Sequence, residues 1–178
     1  MTELTALPAQ YFYLPVLSTF AANFLVFLLA IILQDNSIVD IMWGILFIIP
    51  NAVALYLTDN WNKRTLLTFA LVCIWGFRLA LHIGTRHKGE DYRYAAWRRA
   101  WMQRGKYYFY FRSFYFVFMM QAFFSLVVNS SALLVSLTSP SEEFTILDYV
   151  GAGVWIIGFA FELIGDWQLQ KFRDNPDN

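Results

Sequence analysis

The chain has 178 residues, of which 58% are hydrophobic and 20% aromatic but only 15% charged, with mean hydropathy +0.46; this balance excludes an ordinary soluble domain and places the chain in a membrane. Thirteen Lys and Arg offset thirteen Asp and Glu, so there is no overall basic surface to attract nucleic acid. Cys73 is the single cysteine, which excludes an intrachain disulfide and any metal centre built on cysteines alone.

Crossing the hydrocarbon layer takes roughly 20 mostly apolar residues, because a helix rises about 1.5 Å per residue. Five runs meet that requirement, at 12–33, 38–57, 66–86, 108–137 and 147–167. The expected fold is therefore an all-α polytopic bundle of about five membrane helices, with a basic, aromatic loop after the third. No basic region or small-residue cleavage pattern precedes the first run, which reads as a retained helix.

The link Gln34-Asp35-Asn36-Ser37 is so short that the first two runs form a tight antiparallel hairpin. Ser37 is placed to cap the second run, with Asp40 at the third helical position. Asp59 to Arg64 reads as an interfacial turn, with Trp61 suited to the headgroup zone. The fourth run opens on Tyr107-Tyr108-Phe109-Tyr110-Phe111, an aromatic belt, and closes at Thr138-Ser139-Pro140-Ser141-Glu142-Glu143. Gly151, Gly153, Gly158 and Gly165 make the fifth run the place where close helix approach is expected.

Charge is unevenly distributed. Arg86 to Arg112 holds eight basic and two acidic residues, and the remainder of the chain carries the compensating negative charge. The positive-inside rule puts this connection on the cytoplasmic or matrix-equivalent side, with the N-terminus and Glu142-Glu143 opposite and only Lys63-Arg64 dissenting.

Charges inside the runs mark the candidate polar site, since a lipid-facing helix disfavours them. Arg78, His82 and Arg86 share a stripe at four-residue spacing, and Glu162 and Asp166 form a second one beside Gln168. Asp40, Arg78, His82, Glu162, Asp166 and Gln168 are thus candidates to line a polar cavity or to form a structural ion-pair network. Arg86, Lys88, Glu90, Asp91, Tyr92, Arg93 and Arg98 are candidates to contact lipid headgroups or the phosphates of a cofactor. His82 and His87 are five apart, not at metal-pair spacing, and no metal is expected. Neither a Rossmann nor a P-loop glycine pattern is present, nor a Gly-x-Ser-x-Gly elbow.

Four ordered segments carry a family resemblance: Ser37-Ile38-Val39-Asp40-Ile41-Met42-Trp43-Gly44; Trp75-Gly76-Phe77-Arg78-Leu79 followed by Arg86; Gly89-Glu90-Asp91-Tyr92-Arg93-Tyr94 with Arg98; and Gly165-Asp166-Trp167-Gln168-Leu169 with Phe172. They resemble the DUF1295 membrane proteins, related to steroid 5α-reductases and isoprenylcysteine methyltransferases. The resemblance implies an α-helical membrane domain over 1–178 whose polar segments line a cavity for lipid-like substrates. It also implies, in the related reductases, NADPH as hydride donor to a conjugated double bond. On that reading Glu90 or Tyr92 orients substrate, while Arg78 and Arg93 neutralise phosphate or oxyanion charge.

Family members continue beyond a segment like Asn175-Pro176-Asp177-Asn178 into further helices that complete the cofactor pocket, so a truncated domain is expected here. The expected function is a non-catalytic accessory subunit of a larger membrane complex, touching other integral membrane subunits and phospholipids and needing no cofactor. The competing expectation is one half of a split NADPH-dependent lipid or steroid reductase. The mitochondrial inner membrane suits the first expectation and the endoplasmic reticulum the second.

Overall fold

A computed structural model describes residues 8–139 and 143–175. The described residues contain helices and turns and no strand. Five helical stretches are long and apolar enough to cross a membrane: Gln10–Leu33, Ile38–Thr58, Lys63–Arg86, Lys106–Thr138 and Ile146–Arg173. The chain is thus an all-α polytopic integral membrane protein, and each expected span falls within an observed one. Of the segment expected to end the fourth span, 140–142 lies outside the described residues, as does 176–178.

The described chain falls into two units, one within 1–140 and one within 141–178. In the first, α1 (Gln10–Leu33) ends on Gln34, whose φ of 55° turns the chain through the left-handed region. The short α2 (Ile38–Met42) follows, then α3 (Ile45–Thr58). The second span is therefore two helical pieces joined at Trp43-Gly44.

That joint sits where α4 (Lys63–Arg86) crosses, because Gly44 and Gly76 meet backbone to backbone. A Cβ on either glycine would overlap the carbonyl oxygen of the other. A close approach of the kind expected along the fifth span is found here, within the first unit. The glycines of that span, α8 (Ile146–Arg173), stand on the one long helix of the second unit.

The basic connection is not a loop. Asp91 caps α5 (Tyr92–Met102) by accepting the Arg93 N–H, and Gly105, at φ 105°, turns the chain into α6 (Lys106–Ser113). The fourth span then passes through one π-helical turn, Phe114–Met119, where the Met120 N–H reaches back to the Tyr115 carbonyl, and continues as α7 (Met120–Thr138).

A cluster of buried side chains forms where α1, α2 and the π turn meet. Val26, Phe27, Ala30, Ile38, Val39, Val117 and Phe118 are buried together with Tyr94 of α5. Phe27 lies 5.2 Å from Phe114 and 5.4 Å from Phe118, ring centre to ring centre. Such aromatic pairs add about 0.5–1.5 kcal/mol beyond burial. Leu46, Phe47, Ala54 and Leu55 of α3 and Ala122 and Leu137 of α7 are buried as well, while Leu25, Ile32, Phe123 and Val128 are among the apolar side chains that point outward, as lipid demands.

Two polar seams bind the spans to one another. Midway along them, Asn51 of α3 donates to Asn129 Oδ1 (3.0 Å), Ser136 donates to Asn51 Oδ1 (2.9 Å), and both asparagines donate to the Phe47 carbonyl. The same seam continues to the far end, where Asn60 and Asn62 donate to the Ser139 carbonyl at 3.0 and 2.9 Å. The second seam lies at the basic end.

Candidate functional site: a polar cluster at the basic end of the first unit

Sequence order separates the residues of this cluster by up to 86 positions, and the hairpin topology reunites them. The 34–37 turn, the end of α4, the 87–91 connection, α5 and the start of the fourth span all lie at one end of the unit. Asp35 is the first anchor. Its Oδ1 accepts both the backbone N–H (2.8 Å) and hydroxyl (2.6 Å) of Ser37, while Oδ2 lies 2.8 Å from His87 Nε2.

The expected Ser37 cap is therefore not formed. Its hydroxyl is drawn to Asp35 and also accepts the Asp91 N–H at 3.1 Å. Asn36 ties in two further elements, donating its backbone N–H to Glu90 Oε1 (2.9 Å) and its side-chain amide to Ser113 Oγ (3.0 Å).

Glu90 is gripped by Arg98, with Nε to Oε2 and an Nη to Oε1 both at 2.8 Å. The two side chains retain only 13% and 21% exposure, so this is a largely desolvated forked pair. Arg98 also lies 4.7 Å from the Phe109 ring centre. Glu90, which with Tyr92 was one of two residues that the resemblance implied for orienting substrate, is thus held by Arg98 and Asn36.

Asp40 collects three donors from outside its own helix: the Tyr94 hydroxyl at 2.7 Å, the Gln121 amide at 3.2 Å and Arg93 at 3.5 Å. Gln121 also lies within 3.3 Å of the Tyr94 hydroxyl. Burial, together with the bond to Asp40, pushes the Tyr94 hydroxyl above its ordinary pKa. Arg93 holds Asp91 below the usual carboxylate range by donating to it from both side chain and backbone. The same side-chain bond raises Arg93.

Of the expected site residues, the fold brings Asp40, Glu90, Asp91, Arg93 and Arg98 together. Arg86 turns back to its own helix, 2.7 Å from His82 Nε2, so His82 accepts through that nitrogen. Lys88 and Tyr92 are exposed. Arg78 is half-buried on α4, two turns from Arg86. Glu162, Asp166 and Gln168 belong to α8 in the second unit, where the first two share a face one turn apart.

Asp40 accordingly takes its partners from α5 and α7 and not from the Arg78 stripe. Sequence reading missed Asp35, Asn36, Ser113 and Gln121. The signal for Gln121 was present, since it is an amide inside an apolar run, where a polar group needs a partner.

An all-α membrane domain whose second and fourth spans are pinned by a carboxylate cluster is the class that this architecture defines. The chain belongs to the family described as Protein of unknown function (DUF1295), which it matches over residues 26–178. No curated protein and no solved structure matches it. The matched range contains every member of the cluster and both halves of the Gly44–Gly76 crossing.

Proposed function

We propose that the chain is a non-catalytic structural element of a larger membrane assembly, in contact with other integral membrane subunits and with phospholipids. One observation supports this reading above others: the basic-end cluster is closed on itself. Asp35 is taken by Ser37 and His87, Glu90 by Arg98 and Asn36, Asp91 by Arg93, and Asp40 by Tyr94 and Gln121. Such a cluster works as a pin between spans. The second unit, a single long helix with apolar residues around its circumference, calls for lipid or protein neighbours of the kind an assembly provides.

The competing reading is an NADPH-dependent lipid or steroid reductase. It draws support from the convergence of two family-like segments, 37–44 and 89–94, on one cluster containing a tyrosine, a carboxylate and an amide. The arginines there do not fit the cofactor. Arg93 and Arg98 are each already paired with a carboxylate of the cluster, so neither is open to a dinucleotide's phosphates. The mitochondrial inner membrane accompanies the subunit reading, and the endoplasmic reticulum the reductase reading.

Gentle extraction from native membranes under a tag on this chain, then native-size separation with identification of companion chains and small molecules, separates the two. A large stoichiometric assembly without dinucleotide is the expected result. A small complex holding stoichiometric NADPH would overturn the subunit reading.

A further inference from the structure

Arg112 stands apart from the cluster. Its guanidinium carbon lies 4.0 Å from the ring centre of Phe116, one turn further along the span, and 5.3 Å from that of Trp101 on α5. Trp101 is itself stacked on Trp97 at 5.8 Å. The cation is therefore fixed between two aromatic faces, which attract its charge but accept none of its in-plane N–H bonds in the way an oxygen does.

No described residue accepts a hydrogen bond from Arg112 or pairs with it, and its Nε is buried without a partner. An arginine held in place with its donors unmet calls for an oxyanion from outside the chain. The nearest acids in sequence are committed elsewhere, Glu90 to Arg98 and Asp91 to Arg93. From Tyr92 to Ser141 the chain has no Asp or Glu at all, while Arg98, Arg99, Arg104, Lys106 and Arg112 are all cationic.

Depth and direction identify the oxyanion. Ser113, the next residue, is bonded to Asn36 in the turn between the first two spans, which sets Arg112 at the level where those spans leave the hydrocarbon. Phe116 is 52% exposed and Met120, one turn further along, is 42% exposed, so this side of the fourth span faces lipid. The anionic group that lines a membrane at that depth is phosphate. Guanidinium presents paired donors to phosphate oxygens, and its terminal nitrogens are the edge left open, since Nε alone is sealed.

We propose that Arg112, clamped between Trp101 and Phe116, binds the phosphate of a membrane phospholipid whose acyl chains lie along the exposed aromatic face of the fourth span. The clamp orients the guanidinium edge toward the headgroup layer, and the acyl chains hold the lipid against Phe116. This holds whether or not the chain is part of a larger assembly.

The test is native mass spectrometry of the full chain in detergent, titrated with dioleoyl phosphatidylglycerol or with the matching diacylglycerol, which lacks phosphate. The wild-type chain retains the phospholipid about tenfold better than Arg112→Lys, which keeps the charge and loses the fork. Arg104→Gln removes one neighbouring charge and leaves retention within about fivefold of wild type, the scale of general surface attraction.

Equal retention by wild type and Arg112→Lys, or equal retention of diacylglycerol, overturns the proposal. Displacement of the lipid by millimolar inorganic phosphate assigns the site to free phosphate and overturns the lipid source. Should Arg112→Lys fail to fold, Phe116→Leu keeps the arginine and opens the clamp. Loss of retention there supports the site, and unchanged retention overturns it.

Discussion

The two polar seams of the first unit solve the same problem with different chemistry. At the basic end the spans are joined by ionisable groups, among them Asp35 with His87, Glu90 with Arg98 and Asp40 with Tyr94. Midway along the spans, Asn51, Asn129 and Ser136 perform the same joining with neutral amides and a hydroxyl. Carboxylates can be ionised cheaply only where water or headgroups reach them, whereas an amide avoids the several kcal/mol that desolvating an ion costs. The comparison teaches that both seams fix helix register, and that the depth of each decides which polar residue does it.

Breaking the ionic seam gives the largest effect. Glu90→Ala leaves the Arg98 guanidinium largely desolvated without its carboxylate, and a loss of about 3 kcal/mol is expected in denaturation of the detergent-solubilised chain. Arg98→Met in the same background should recover part of that loss, because it removes the orphaned charge. The amide seam is next in size. Asn129→Leu removes the acceptor of one Asn51 Nδ2 N–H, stranding that donor, and should cost about 2 kcal/mol, with no dependence on pH.

Tyr94→Phe removes the hydroxyl bound to Asp40 and should cost about 1.5 kcal/mol at neutral pH. Because folding raises the pKa of this hydroxyl, its contribution is fully present below about pH 10 and is lost as pH rises through the folded value. Alkaline melting curves of wild type and Tyr94→Phe should therefore converge. Asn23 sharpens the comparison from the opposite direction: it is fully buried in α1 with neither side-chain nitrogen nor oxygen bonded among the described residues. Asn23→Leu should stabilise the unit by about 1 kcal/mol, where the paired asparagines destabilise on the same replacement.

The smallest effect belongs to the most exposed pair. Asp91→Asn should cost under about 0.5 kcal/mol, since Arg93 keeps 55% side-chain exposure. Its carboxylate is held low in the folded chain, so its contribution is present above about pH 4 and fades as pH falls through the folded value. Thermal melts between neutral and acid pH, compared for wild type and Asp91→Asn, check this.

All five spans were legible because length and apolarity are summed over some 20 residues, and no single residue decides them. The joint at Trp43-Gly44, the π turn and α5 were not legible. Each depends on a tertiary contact: Gly44 meets Gly76, the turn packs under α1, and α5 is capped by Asp91 and anchored through Tyr94. In the cluster, Glu90, Asp91, Arg93 and Arg98 were visible as charges at a membrane surface. Asp35 and Asn36 passed for turn residues, because nothing local reveals that His87, Glu90 and Ser113 wait 52, 54 and 77 positions away. Asn129 and Ser136, seven apart in an apolar run, carried a readable signal as a polar stripe two turns long.

The π turn at Phe114–Met119 acts as a phase correction in the fourth span. With about 100° per residue in an uninterrupted α-helix, Ser113 and Asn129 would point about 160° apart. One extra residue accommodated in the wider turn reduces that angle to about 60°. A single helix can then present Ser113 to Asn36 and Asn129 to Asn51 on the same wall. Without this slip of one residue, the span could keep faith with the ionic seam or the amide seam, but its rotation would deny it both.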